Sequence, residues 1–168
     1  TLRELYNLEA GIKWPNDIII QNKKVCGILT EIHADIDVIH YVIVGIGINA
    51  NIEKDDFPEE LLDSATSILI ALGRKVDRVQ LIQAIMKHME EIYTDYIKSR
   101  DMGPILEECR KCSATLGRVV KVVGRNMEFS GKAIDLDEDG ALLVLKEDGK
   151  VEKVLSGDVS VRGTGGYV

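Results

Sequence analysis

The segment Lys13-Trp14-Pro15-Asn16-Asp17 brings an ammonium, an amide and a carboxylate into one turn. Proline fixes its own φ and biases Trp14 toward an extended conformation, so Lys13 stands on a stiff strand end. An ammonium held there can neutralise a carboxylate or phosphate oxygen during acyl transfer. Asn16 offers a donor and an acceptor, which suits a ribose or base edge. Turns of this composition are also common, and on chemistry alone a plain turn with an exposed lysine and an Asn-Asp capping pair is the simpler account. A second segment, Gly45-Ile46-Gly47-Ile48-Asn49, places two glycines inside an apolar strand. Glycine weakens a strand, so it needs a reason there: close approach of a ligand, a bulge, or tight packing on a neighbouring strand. The segment is not a Rossmann fingerprint, because the third glycine is absent and no helix starts at once.

Other candidates carry less. Cys109 and Cys112 have CxxC spacing. Zinc would need a second ligand pair, which His33, His40 and His88 do not form at useful spacing. The two thiols therefore read as part of a packed helix, and no metal site is expected. The acidic run from Asp135 to Asp139 reads as a solvated turn. No GxxxxGK[ST] phosphate loop and no GxSxG elbow is present.

These segments have to be positioned by regular elements. Thr1 to Glu9 reads as the tail of an amphipathic helix, and Ala10-Gly11 ends it. Ile18 to Ile20 and Val25 to Ile32 read as strands around a polar hairpin tip, Gln21 to Lys24. Val38 to Ile48 is a longer, very apolar strand, so both its faces are expected to be covered. A loop from Asn51 to Glu60 precedes helices over Ser64 to Leu72, Asp77 to about Lys98 with Asp77 as cap, and Pro104 to Cys112. From Gly117 the pattern changes to short strands at Val119–Val123, Glu128–Leu136, Ala141–Lys146, Val151–Leu155 and Val159–Val161. Asp139-Gly140 and Asp148-Gly149 mark the hairpins between them. Such closely spaced strands suggest a small closed β-barrel. The boundary falls near residue 114, giving domains 1–114 and 115–168.

Composition limits the classes. The 168 residues are 45% hydrophobic and 29% charged, with a net charge of −7. That balance fits a globular chain and argues against a broad nucleic-acid footprint. The longest apolar stretch, Tyr41 to Ile48, is far short of the roughly 20 residues of a membrane span. Three cysteines make no disulfide framework, so reduced thiols and a cytoplasmic location are expected. The chain opens at Thr1 inside a helical pattern, and further residues are expected before it.

Taken together, the motifs resemble the biotin protein ligase family. Lys13-Trp14-Pro15-Asn16-Asp17 matches that family's KWPND signature. It is followed, as in the family, by a hairpin with Lys24, by Gly27-Ile28-Leu29 and Glu31, and by Gly45-Ile46-Gly47-Ile48-Asn49, a GxGxN match. A C-terminal β-module ends in Gly157-Asp158-Val159-Ser160-Val161-Arg162. The resemblance implies an α+β domain related to class II aminoacyl-tRNA synthetases, followed by a small Src-homology-3-like barrel. It implies activation of biotin by ATP and Mg2+ to biotinyl-adenylate, then transfer to a lysine of a carboxylase's carrier domain. By position, Lys13 is the catalytic lysine. Asn16, Asp17, Gly27, Leu29, Gly45, Gly47, Asn49 and Arg162 are the biotin- and adenylate-binding residues, while Trp14 and Ile28 pack the sheet beneath. Family members often dimerise. Their Gly/Arg-rich loop upstream of KWPND is not among these residues. The expectation is therefore a partial catalytic domain that is weak or inactive alone and exposes sheet surface. A lipoate-type ligase and a non-catalytic scaffold fragment are the alternatives.

Overall fold

The computed structural model describes residues 1–124, 128–156 and 159–163. Gly157 and Asp158 of the C-terminal motif lie outside them. Four strands, β1 (Ala10–Lys13), β2 (Asp17–Ile20), β3 (Lys23–Ala34) and β4 (Ile39–Ile48), form an antiparallel meander in chain order. Gln21 and Asn22 turn the chain from β2 into β3 with φ of 50° and 61°. Positive φ at both central residues is what a tight type I′ hairpin requires, and asparagine tolerates it well. β1 pairs with β2 from Ala10↔Ile20 to Lys13↔Asp17. The sequence pattern predicts a helix end at Ala10-Gly11. The helix α1 in fact spans only Leu2–Tyr6 and closes on Asn7 at φ 53°.

Among the described residues, the α-helices α2 (Ile68–Leu72), α3 (Arg78–Ser99) and α4 (Gly103–Lys111) follow. The Asp77 carboxylate accepts the N–H groups of Val79 and Gln80 and starts α3 as expected. The helix predicted from Ser64 starts only at Ile68. Residues 64–66 are drawn into backbone hydrogen bonds with Lys24 instead: the Lys24 N–H donates to Ser64 O and the Thr66 N–H to Lys24 O, both at 2.8 Å. Tertiary pairing outweighs local helix preference there. A first core gathers Ala10, Ile20, Val25, Cys26, Ala50, Ile68, Val76 and Leu81 between this sheet and the helices.

β5 (Val119–Gly124), β6 (Glu128–Leu136), β7 (Leu142–Lys146), β8 (Val151–Val154) and β9 (Val159–Gly163) make a second antiparallel sheet, in the order β8-β7-β6-β5-β9. Alternate residues such as Val120, Val122, Leu142 and Val144 point into its core. Among the described residues, β8 and β9 remain the sheet's two edges. The predicted closed barrel is therefore not what these pairings form. Short apolar segments between glycine turns predict the strands and their order along the chain, but closure needs a pairing between edges that local sequence does not encode.

The expectation that both faces of the third apolar strand are covered is also corrected. β4 is exposed from Ile39 to Gly47, with Val42 at 48% and Ile43 at 53%. Among the described residues it pairs only with β3, from Cys26↔Ile48 to Ala34↔Ile39, and the distal half of this ribbon extends past the core. An apolar run reports what a surface prefers, not what lies against it.

Candidate functional site

Directly paired residues on neighbouring strands share a sheet face. Lys13 pairs with Asp17, Asp17 with Gly27, and Gly27 with Gly47. The KWPND turn and the GxG strand therefore meet in one row that crosses all four strands. Leu29 and Gly45, opposite each other two residues further along, continue the same face. A Cβ added at Gly45 or Gly47 would come no nearer than 3.6 Å and 3.8 Å to a neighbour. Packing among the described residues does not demand glycine there, and the missing side chains leave that face of β4 bare.

Lys13 closes the row at the end of β1. Its side chain is 12% exposed, with Nζ 3.7 Å from Asp17 Oδ2. Burial pushes its ammonium below the usual lysine range. The Asp17 carboxylate draws it back up, while Lys24 and Arg162 add a downward push. Asp17 is itself buried, and its other oxygen lies 2.6 Å from Lys24 Nζ.

The turn is fixed from the second sheet. Trp14 is 6% exposed and belongs to the second core, with Val120, Val122, Leu136, Leu142 and Val144. Its indole N–H donates to Gly140 O at 3.0 Å, and its backbone N–H donates to the buried Thr115 hydroxyl at 3.0 Å. Residues 112–114 run beside β1, where the Ile12 N–H donates to Cys112 O and the Ala114 N–H to Ile12 O, both at 2.8 Å. Trp14 therefore does not pack the sheet beneath Lys13, as the sequence suggested. It anchors the turn in the other core. Ile28 does pack against the first core.

The remaining candidates divide. Asn16 is exposed, and its side-chain amide donates to Ile28 O at 2.7 Å, while the Ile28 N–H donates to Asn16 O at 2.9 Å. Asn49 donates its amide to Thr66 O at 3.0 Å and ties β4 to α2 through the Ile68 N–H. Both asparagines thus clip backbone segments together at the margins of the row. Leu29 is 63% exposed on the open face. Arg162 is an exposed residue of β9 that makes itself felt at Lys13. A small crevice between the sheets is lined by Lys13, Thr115, Arg118, Val120, Val161 and Gly163. Sequence reasoning missed Lys24 as a partner of Asp17, and Thr115 and Arg118 as neighbours of Lys13. Nothing local marks Thr115 or Arg118, because they approach from about a hundred residues away.

The CxxC thiols are free, and burial pushes the Cys109 thiol up, away from thiolate reactivity. No helix among the described residues is long and apolar enough to cross a membrane.

Residues 1–49 match the family described as Biotin/lipoate A/B protein ligase, and residues 115–162 match the Biotin protein ligase C terminal domain. The bifunctional ligase/repressor BirA of Bacillus spizizenii is 41% identical over 154 residues, covering 92% of this chain and 47% of that protein. This chain thus spans about half the length of that relative. The apo biotin protein ligase of Aquifex aeolicus superposes with a TM-score of 0.86 at 32% identity, covering 97% of this chain and 69% of that one. The same Aquifex ligase in complex with biotin and ATP gives a TM-score of 0.83. With the KWPND turn, the GxG strand and the C-terminal sheet in matching order, the chain belongs to the biotin protein ligase family.

Proposed function

We propose that the face carrying Lys13, Asp17, Gly27, Leu29, Gly45 and Gly47 is the acyl-adenylate site of a biotin protein ligase. The observation that carries this reading is the row itself. A partly desolvated ammonium stands at one end of a sheet face whose other end lacks side chains. Biotin's carboxylate would attack the α-phosphorus of ATP and release pyrophosphate. The amine of a carrier-domain lysine would then attack the acyl carbon, with AMP leaving. Negative charge builds on oxygen in both steps, and Lys13 is placed to stabilise it where burial strengthens the interaction. The glycines let a ligand approach the β4 backbone, and Leu29 offers apolar contact to a bicyclic ring. Arg162 would reach the nucleotide from β9, while Asn16 and Asn49 hold the margins.

Among the described residues no cluster of three His, Cys, Asp or Glu side chains is placed to hold a metal. Mg2+ would enter as part of the substrate, bound to the phosphates of ATP. The C-terminal match over residues 115–162 favours biotin over lipoate. The same reading takes 1–114 as a partial catalytic domain of the class II synthetase type and 115–168 as the Src-homology-3-like module. It places the protein in the cytoplasm with a biotin carboxyl carrier domain as partner, and it pairs two copies through the uncovered β4.

Transfer of radiolabelled biotin to a purified carrier domain tests the proposal, with the 168-residue chain and the full protein that contains it assayed side by side. Weak or no turnover is expected from the chain alone. In the full protein, Lys13→Ala should lower transfer on the order of 10²–10³-fold while the fold persists. Unchanged transfer would remove Lys13 from its role.

A further inference from the structure

We infer that Lys24 and Asp17 form a tether that positions Lys13: Lys24 crosses the bare backbone of Gly27 to hold one Asp17 oxygen, and the other oxygen holds the Lys13 ammonium. What this does for a bound anion rests on the adenylate reading above. The tether itself does not.

The sheet is built to permit it. Alternation back from Gly27 would put Lys24 on the opposite face, three residues away. The register breaks between Ile18 and Ile19, so that Ile18 pairs with Cys26 but Ile19 with Lys24. This bulge at Val25 turns Lys24 onto the face of Asp17 and Gly27, as bulges re-aim side chains beside functional sites. The Lys24 backbone is pinned on both sides by Ser64 and Thr66. Its side chain then lies over Gly27, where an added Cβ would sit 3.0 Å from both Cε and Nζ of Lys24. Glycine at 27 thus clears the path of a lysine within the protein. It is the one glycine of the row whose replacement would meet a close contact.

The two arms of the tether differ. Lys24 Nζ lies 2.6 Å from Oδ1, a close ion pair, while Lys13 Nζ is 3.7 Å from Oδ2. Lys24 is therefore the closer partner of the carboxylate, and Asp17 stays paired with it if Lys13 turns onto an arriving anion. Among the described residues, the charged groups facing Lys13 include Asp17, Lys24, Arg118 across the crevice, and Arg162.

The test is the titration of the Lys13 ammonium in the 168-residue chain, followed by NMR of 13C-labelled lysine and assigned with Lys13→Arg. Lys24→Ala removes a like charge and frees Asp17, so the Lys13 midpoint should rise. Gly27→Ala should raise it too, because the new methyl displaces only the flexible tip of Lys24. In the Lys24→Ala background Gly27→Ala should add nothing. Asp17→Asn should lower the midpoint, and Lys24→Met, which keeps the stem, should repeat Lys24→Ala. An unchanged midpoint in Gly27→Ala overturns the tether, as does an equal shift in both backgrounds or an Asp17→Asn midpoint that fails to fall. No biotin or ATP enters this measurement. Intact shifts beside absent biotin transfer in the full protein would therefore sink the ligase reading alone.

Discussion

Replacing Trp14 tests whether the second sheet sets the Lys13 turn. The indole is 6% exposed among Val120, Val122, Leu136, Leu142 and Val144. Trp14→Ala should cost about 3–5 kcal/mol, the usual range for emptying an aromatic site in a packed core. The lost bond to Gly140 O adds little, because that carbonyl sits at a turn and can bond water. Against a typical total of about 5–15 kcal/mol this is a large fraction. It corresponds to a fall in melting temperature of about 6–20 °C for a chain of this size. Urea unfolding followed by far-UV circular dichroism measures it; fluorescence cannot, since the substitution removes the single tryptophan. Thr115→Val probes the same clamp without a cavity. It strips the acceptor from the Trp14 backbone N–H and should cost about 1–3 kcal/mol. Trp14→Ala should also let the Lys13 ammonium drift up toward its ordinary value, because burial is the main cause of its depression. If Trp14→Ala unfolds within about 0.5 kcal/mol of the parent, the size of a bland surface change, the reasoning fails.

Three further outcomes follow from the same geometry. Gly131→Ala should destabilise by several kcal/mol, on the scale of severe core strain, because the new Cβ would sit 2.5 Å from Leu145 O and 2.7 Å from Val144 Cγ1; chemical denaturation checks it. Stability should fall in acid, because Arg110 beside Asp135, Lys153 beside Asp137 and His88 beside Glu4 hold these carboxyls below their usual range. For depressed carboxyls the stabilisation is present above the unfolded value and disappears as pH falls through the folded one, so the loss comes below the ordinary carboxylate range. Arg110→Ala, which also removes a 2.6 Å bond to Leu136 O, should cost about 1–2 kcal/mol at neutral pH and flatten that acid limb. Sedimentation velocity should show concentration-dependent association through β4, and Val42→Lys should weaken it, since an edge charge opposes strand pairing.

The candidate site was legible in the sequence in one respect. The two motifs singled out for their residue types, KWPND and GxGxN, are brought into one row by a meander of which β-branching and apolar runs predict every strand but β1. What stayed hidden has physical causes. The β-bulge at Val25 inverts the face of Lys24, and no counting from Gly27 reveals it. β1 is too short to show a period and exists because β2 and residues 112–114 flank it. Thr115 meets Trp14 through a contact that no window of ten or twenty residues contains. The bareness of β4 and the open order of the second sheet are facts about which surfaces meet.

The Trp14 anchor also has a consequence in time. Its two hydrogen-bond partners follow it by 101 and 126 positions along the chain. A ribosome adding about 5–20 residues per second emits the first motif roughly 5–20 s before Thr115 is made. Throughout that interval the nascent meander carries a bulky indole with nowhere to dock. The turn that carries Lys13 gains this anchor only when Thr115 and Gly140 arrive, so a translation product halted before them holds every residue of the row without the clamp on its first turn.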